Sequence, residues 1–319
     1  MYAIVNQAGQ LRYQTVDDPQ PGEGEVRIAV TAAGVNRADI MQRRGNYPPP
    51  PGASDILGLE ASGVVDAVGA GVSSWQLGDP VVALLAGGGY AEKVVVPAGQ
   101  CVASPQGMTL IEAGGLMEVC ATVLSNFDHV NVQAGETILI HGGAGGIGSF
   151  AIPYAKSLGM TVVATAGSSA KTEYAQSLGA DKAIDYHSDW PGAVLDFTGG
   201  VGVDVILDVV GAKYLPDNIS VLAFGGRLCV LGLQGGANAT IDLAAMQTKV
   251  ASLTATTLRF RPLAQKAAIV AAVAARVWPL FETGQLDVPR IASFPLSQAD
   301  AAHAALDSGA NIGKIVLTV

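Results

Sequence analysis

The stretch ILIHGGAGGIGSFA, residues 138–151, sets Gly143, Gly145 and Gly148 in a G-x-G-x-x-G spacing. It follows an apolar run and leads into an amphipathic one. The chemistry explains the glycines: the first allows a tight turn, the second lets the backbone approach a pyrophosphate, and the third lets helix and strand pack closely. Ala144, Gly146 and Ile147 complete the turn, where free N–H groups at a helix start favour phosphate. In a chain with 40 glycines the spacing alone decides little; its strand–turn–helix setting is what indicates a dinucleotide. The next strand, TVVATAGSSAK, ends without the acid that commonly holds a ribose 2′-hydroxyl about twenty residues after the motif. Gly167 and Ser168 leave room for a 2′-phosphate and Lys171 can offset its charge, so the expected cofactor is NADPH. Tyr186, after the third strand, either flanks the adenine ribose or is a plain surface tyrosine.

A second chemical stretch is GLEASGVV, residues 58–65, where Glu60 stands between apolar and small residues. Leu59 beside it can neither ionise nor bind a metal, which leaves Glu60 as either a catalytic carboxylate without a partner or an acid with a structural role in a packed turn. Asn36 could donate its amide to an acceptor oxygen, and Tyr47 could stack on an acceptor or donate its hydroxyl. From the residues alone a turn asparagine and a tyrosine packed on the proline run NYPPPPG serve equally well. His129, His141, His187 and His303 are dispersed. Cys101, Cys120 and Cys229 form no C-x-x-C pair, which fits a reducing compartment and no metal site. Cys120 is expected to be a small buried hydrophobe.

The elements that must position these groups fall into two textures. Short β-like runs (EVRIAVTAAGV, SGVVDAVGAGV, DPVVALLA, AEKVVVPAG) fill the first 118 residues and suggest a small barrel-like β domain. From about residue 120, Val/Ile/Leu-rich strands alternate with amphipathic helices, which means a parallel sheet covered on both faces. Pro153 falls inside the first of these helices and should kink it. The formal charge of −9 disfavours nucleic acid and anionic lipid as partners. The Arg37/Arg43/Arg44 group is expected to be a solvated face. The N-terminus MYAIVNQAG shows no signal-peptide pattern, and KAAIVAAVAARVWPLF is interrupted by Arg276 and Pro279, too short and broken to span a bilayer. A cytoplasmic protein without a membrane partner is expected.

In VNRADIMQRRGNYPPPPGAS, ILGLEASGVV, the AGGIG loop and the closing NIGKIVL, the chain resembles the medium-chain dehydrogenase/reductase superfamily. The resemblance runs from near residue 1 to 319 and is to the zinc-free quinone oxidoreductase branch, in particular the tumour-suppressor-inducible type, with zeta-crystallin more distant. It implies an α/β fold: a GroES-like β domain from residues 1–119 and 261–319, clasping a doubly wound Rossmann domain, 120–260, with the active site in the cleft and a homodimer as the assembly. Zinc-dependent relatives carry Cys near the position of Asn36 and His at that of Leu59; here neither is a usual zinc ligand, and the resemblance implies that Glu60 is a buried, hydrogen-bonded structural carboxylate and not a proton donor. The resemblance places Asn36 and Tyr47 in the acceptor pocket and Thr122 near the nicotinamide. It assigns Gly211, Gly232, Leu233, Gln234, Leu258 and Arg259 to the cofactor side, with Lys314 where the C-terminal segment returns. MEVCAT departs from a Pro-containing segment common in relatives.

The implied activity is NADPH-dependent reduction of a quinone by hydride transfer without zinc. Reduction of an alkenal or enone double bond uses the same residues and stays open as an alternative. A third reading, of another class, is a non-catalytic NADPH-binding structural or RNA-binding protein.

Overall fold

A computed structural model describes all of residues 1–319, and the chain forms two compact units. The first comprises Met1–Thr122 and Leu258–Val319, the second Val123–Thr257.

The first unit is built on a seven-stranded sheet. Its spatial order is Ile291–Pro295, Lys314–Thr318, Glu25–Val35, Glu60–Val68, Pro80–Leu84 and Cys101–Ala103, with Lys93–Pro97 also paired to Glu25–Val35. In EVRIAVTAAGV the early residues alternate, Val26, Ile28 and Val30 facing the core, as a half-buried strand requires. Ala32 to Val35 are then buried on both faces. Register shifts at Arg27/Ile28 and Val30/Ala32 bend this strand, because an extra residue on one side of a ladder re-aims the residues beyond it. The core gathers Val26, Ile28, Val65, Val81, Val94, Val96 and Leu317. Two pairings position the site: Ala61 opposes Ala33, and Ile315 opposes Val35 in antiparallel register. They bring Glu60, Asn36 and Lys314 to one end of the sheet.

The arginine group lies partly exposed, as expected of a solvated face, and its members form a set of ion pairs. Arg37 and Arg44 both reach Asp307, and Arg43 reaches Asp300 at 2.7 Å. Both acids lie on the helix Ala299–Asp307, so the chain's two ends interlock there. Pairs this exposed contribute about 0–1 kcal/mol each.

The segment Leu263–Glu282 also differs from expectation. Its helices, Leu263–Arg276 and Trp278–Glu282, succeed each other closely enough to give 20 residues that are long and apolar enough, by length and composition only, to cross a membrane. Arg276 and Pro279 do not shorten it as expected. One face is buried within the unit through Val270, Val273, Val277 and Trp278, and the Trp278 indole N–H donates to Ala103 O at 2.9 Å.

The second unit holds a six-stranded, wholly parallel sheet. Its order is Lys182–Asp185, Thr161–Ala166, Thr137–His141, Val203–Asp208, Leu222–Val230 and Ser252–Ala255. Counted along the unit, that order is 3-2-1-4-5-6, the doubly wound arrangement whose crevice lies where the winding reverses. Ile138–Ile140, Val162–Ala164 and Val205–Leu207 are buried, as strands covered by helices on both faces must be. The helix Gly146–Ser157 continues through Pro153 as one element.

Candidate active site

Glu60 opens the strand Glu60–Val68 and is fully buried. Its Oε1 lies 2.7 Å from Lys314 Nζ and accepts Asn36 Nδ2 at 2.9 Å, while Oε2 accepts the Glu118 N–H at 2.9 Å. Lys314 Nζ also donates to Asn36 Oδ1 at 2.6 Å. Carboxylate, ammonium and amide thus close a three-membered ring of charge-assisted hydrogen bonds. Glycine makes the space: a Cβ on Gly34 would fall 2.0 Å from Glu60 Oε1, and one on Gly115 would fall 2.8 Å from Lys314 Cγ.

This geometry changes two expected roles. The ammonium of Lys314, expected beside the cofactor, is committed to Glu60 and Asn36. One face of the Asn36 amide, expected to meet an acceptor, is committed to Glu60 and Lys314. Asn36 is anchored further by Asp39, whose Oδ2 accepts the Asn36 N–H at 2.8 Å and whose Oδ1 accepts the Gly58 N–H at 3.0 Å. Tyr90 donates its hydroxyl to Asp39 at 3.2 Å and lies 3.1 Å from His303 Nε2. Burial raises the Asp39 carboxyl to about 6 and lowers His303 to about 4. The sequence carried no local signal for this Asp39–Tyr90–His303 chain.

Tyr47 is partly buried, with its ring edge-on to Phe260 at 5.4 Å and the Arg259 guanidinium 5.3 Å from its centroid. Leu258 and Arg259, expected on the cofactor side, belong to the first unit together with Tyr47. Glu118 and Thr122 are four residues apart, hence one above the other, on the helix Met117–His129. Glu118 is partly buried and its carboxyl is pushed up to about 8, first by burial and then by the charge of Glu60, against the pull of Lys314 and Arg259. Cys120 is fully buried and its thiol is raised far above the ordinary range by burial.

In the second unit the glycine loop has the form its spacing predicts. Gly145 caps the helix Gly146–Ser157, so the backbone N–H groups of Gly146 and Ile147 lie in its first turn. A Cβ on Gly148 would meet Gly142 O and Gly143 Cα at 2.5 Å, so packing within the protein demands glycine there. Gly145 is different. Its φ of −84° suits any residue, and an added Cβ would touch only Gly142 O at 3.4 Å. Nothing in the chain itself requires a glycine at 145. The space fits close approach of a phosphate group, so this loop passes the test for a dinucleotide.

Beyond the second strand, the Tyr186 ring lies against Gly167, where a Cβ would fall 2.2 Å from its hydroxyl. Ser168 caps the helix Ser169–Ser177 without a side-chain cap bond, and Lys171, in its first turn, is partly buried. Gly211 and Gly232 come after the strands Val203–Asp208 and Leu222–Val230, with Leu233 and Gln234 exposed beyond the latter.

A buried polar chain ties three of these loops together, and sequence reasoning missed it. Asp208 accepts the N–H groups of Val210 at 2.6 Å and Gly211 at 3.0 Å, and Asn218 Nδ2 at 3.1 Å. Asn218 Oδ1 lies 2.8 Å from His141 Nε2, and His141 Nδ1 lies 2.9 Å from Thr165 Oγ1. Because an amide oxygen only accepts, Nε2 carries the proton. Burial lowers His141 to about 4 and so keeps it neutral, leaving Nδ1 to accept from Thr165. The Thr165 carbonyl in turn accepts the Gly143 N–H at 2.8 Å.

A catalytic zinc does not fit the first unit's donor set. Leu59 is apolar and buried, the Asn36 amide is engaged, and the Lys314 ammonium already stands 2.7 Å from Glu60.

Comparison with known proteins agrees with this architecture. Residues 146–270 match the zinc-binding dehydrogenase model, and residues 22–106 match the alcohol dehydrogenase GroES-like domain. The chain is 32% identical over 311 residues to a quinone oxidoreductase of Pseudomonas aeruginosa, covering 96% of this chain and 95% of that protein. It is 30% identical over 329 residues to a 2-haloacrylate reductase of a Burkholderia species, covering 99% and 98%. A mycocerosic acid synthase-like polyketide synthase of Mycobacterium tuberculosis is 31% identical over 97% of this chain, which spans only 15% of that much longer protein. The Escherichia coli quinone oxidoreductase complexed with NADPH superposes with a TM-score of 0.90 at 27% identity, covering 100% of this chain and 99% of that one. The chain belongs to the medium-chain dehydrogenase/reductase superfamily of oxidoreductases, and quinone oxidoreductases are among its homologues.

Proposed function

We propose that the protein is an NADPH-dependent quinone reductase that works without zinc. The observation that carries the cofactor reading is Gly145, a glycine with no internal reason to be one, at the start of a helix in a doubly wound unit. The N–H groups of the loop Gly143–Gly148 would hold the pyrophosphate; Gly167, Ser168 and Lys171 the 2′-phosphate; Tyr186 the adenine ribose. Gly211, Gly232, Leu233 and Gln234 would line the remainder, and Thr122 the nicotinamide. When bound, the reduced dinucleotide supplies a hydride.

The residues of the first unit bind and orient an acceptor. With the Glu60 and Lys314 charges cancelling and Asn36 bridging them, the site offers no metal to polarise a plain ketone, and the suitable acceptors are already electron-poor. Tyr47 offers a ring on which a flat quinone can stack, and rigid anchoring of Asn36 by Glu60, Lys314 and Asp39 lowers the entropy lost on positioning it. The Pseudomonas aeruginosa relative supports a quinone; the Burkholderia 2-haloacrylate reductase favours, as second reading, an activated double bond.

Initial rates of NADPH and NADH oxidation at 340 nm, with an ortho-quinone and an alkenal in parallel, decide between them. Quinone turnover with a preference for NADPH supports the first reading, alkenal turnover the second, and no turnover with either refutes both.

The same reading includes a cytoplasmic homodimer paired through the outer strand Ser252–Ala255. Leu243 and Val250 stand beside that edge, 76% and 61% exposed, and an unpaired edge with apolar neighbours favours a partner strand. Light scattering that returns a monomer would remove the dimer.

A further inference from the structure

Three buried polar side chains stand at the carboxyl ends of adjacent parallel strands, the edge where open α/β sheets take their ligands. His141 ends the strand Thr137–His141, Asp208 ends Val203–Asp208, and Thr165 is the last residue but one of Thr161–Ala166. Two of them hold loops of the candidate dinucleotide site. The Thr165 carbonyl accepts the Gly143 N–H at 2.8 Å, and the Asp208 carbonyl accepts those of Leu231 at 2.7 Å and Gly232 at 3.3 Å. The Asp208 carboxylate adds the N–H groups of Val210 and Gly211. Asn218, fully buried on the helix Leu215–Val221, joins the two sides. Its Nδ2 donates to Asp208 and its Oδ1 accepts from His141, which in turn meets Thr165. Its helix neighbours Leu215 and Ile219 belong to the core, and leucine is the better helix former. Burial and propensity therefore favour an apolar residue at 218. What the position demands is a donor and an acceptor on one short planar group, because a carboxylate only accepts and the His141 Nε2–H only donates. A buried polar chain as a whole can be exchanged for apolar groups at little cost in stability, so fold stability does not account for this one.

We propose that Asn218 is a positioning residue for the dinucleotide: by locking Asp208 to His141 it sets the loops at Gly143, Gly211 and Gly232 in their binding arrangement before the cofactor arrives. The proposal deepens the dinucleotide reading above and rests on it. Being fully buried, Asn218 meets no cofactor itself and acts through the N–H groups of Gly143 and Gly211, which both point into the protein. Setting the loops in advance matters because each residue whose backbone must be fixed on binding costs about tenfold in affinity. The rings of Trp190 and Tyr214 pack edge-on to His141, with centroids 4.9 and 5.0 Å from its own. They keep water from the imidazole, so the amide of Asn218 has no competitor for the Nε2 proton.

The test needs no turnover. NADP+, which is stable in acid, is titrated calorimetrically into wild type, Asn218→Leu and Asn218→Asp between pH 6 and pH 9. Asn218→Leu fills the space but bridges nothing, so its affinity should lie about tenfold below wild type at every pH. Asn218→Asp sets a second carboxyl against Asp208, and two such neighbours share one proton until well above the ordinary carboxylate range. While that proton is held, the new carboxylic acid donates to Asp208 and accepts from His141, and affinity should stay within about twofold of wild type at pH 6. Its loss breaks the bridge, and affinity relative to wild type should fall about tenfold toward pH 9. The ratio to wild type cancels the titration of the ligand's own 2′-phosphate. Of the other titratable groups near position 218, His141 is already neutral and Tyr214 still protonated across this range, and Asp217 on the same helix is exposed. A lower melting temperature with unchanged affinity in Asn218→Leu makes the residue a plain support of the fold and overturns the proposal, as does an Asn218→Asp ratio that is flat with pH. Should neither variant fold, amide exchange of the wild type decides. The N–H groups of Gly143, Val210 and Gly211 should be protected without NADP+ and gain less than about threefold with it; a larger gain means that the ligand orders the loops, and overturns the proposal. Wild-type protein that binds no NADP+ overturns the dinucleotide reading and this proposal together, whereas binding indifferent to Asn218 overturns the proposal alone.

Discussion

Replacing Lys314 by methionine removes an ammonium that is 4% exposed and 2.7 Å from a carboxylate that is fully buried. At that distance the direct attraction is about 6 kcal/mol for an effective dielectric near 20, but taking both charges out of water cancels much of it. The pair as a whole therefore contributes little net stability, while loss of one member is expensive. In Lys314→Met, Glu60 keeps only Asn36 Nδ2 and the Glu118 N–H, and the expected loss is about 3–5 kcal/mol. The double variant Glu60→Gln/Lys314→Met carries no stranded charge and should lose only about 1–2 kcal/mol. Urea unfolding followed by fluorescence is suited to this, since Trp75 and Trp278 lie in the same unit as the pair. If Lys314→Met costs less than about 1 kcal/mol, or if the two single losses simply add in the double variant, the coupled-pair reasoning is wrong.

Gly145→Ala should fold and melt like the wild type, because its Cβ meets only Gly142 O at 3.4 Å, yet lose dinucleotide affinity at least about tenfold by calorimetry. Gly148→Ala should lose both affinity and about 1–3 kcal/mol of stability, since its Cβ would strike backbone at 2.5 Å. Glu118 binds its proton more tightly folded than unfolded, so its stabilising effect is full below about 4.5 and is lost as pH rises to about 8. Glu118→Gln should flatten the melting-temperature profile across that window and be the more stable protein at its upper end; an unchanged slope would contradict this. Val250 holds a left-handed φ of 50° at the end of the helix Leu243–Lys249, so Val250→Gly should stabilise by about 1 kcal/mol in chemical denaturation.

Some of the site was legible in one dimension because its physics is local. The G-x-G-x-x-G spacing, the strand before it and the helix after it fall within 21 consecutive residues, Thr137 to Ser157, and Gly145 and Gly148 answer to neighbours only a few positions away. The alternation of apolar strands with amphipathic helices likewise exposed the doubly wound unit, and the resemblance marked Glu60 as a buried structural carboxylate. Even there, the distinction between Gly145 and Gly148 needed coordinates, because spacing is silent on what a Cβ would touch.

The charge arrangement was decided elsewhere. Asn36 and Lys314 are 278 positions apart, and Arg259 is 173 from the carbonyl of Ala86 that it holds. A lysine in NIGK or an arginine in TLRF looks the same in sequence whether it meets a phosphate, a carboxylate or nothing. Which partner it finds depends on register: Ile315 opposite Val35, Ala61 opposite Ala33, and a glycine at 34 that leaves room for a carboxylate. A shift of one residue in either pairing would turn those side chains to the other face of the sheet. The sequence by itself determined the secondary structure and the phosphate loop, since those depend on short-range sterics and periodicity. Only the tertiary structure decided which charges are cancelled and which meet main-chain carbonyls alone, because that depends on contacts between segments far apart in the chain.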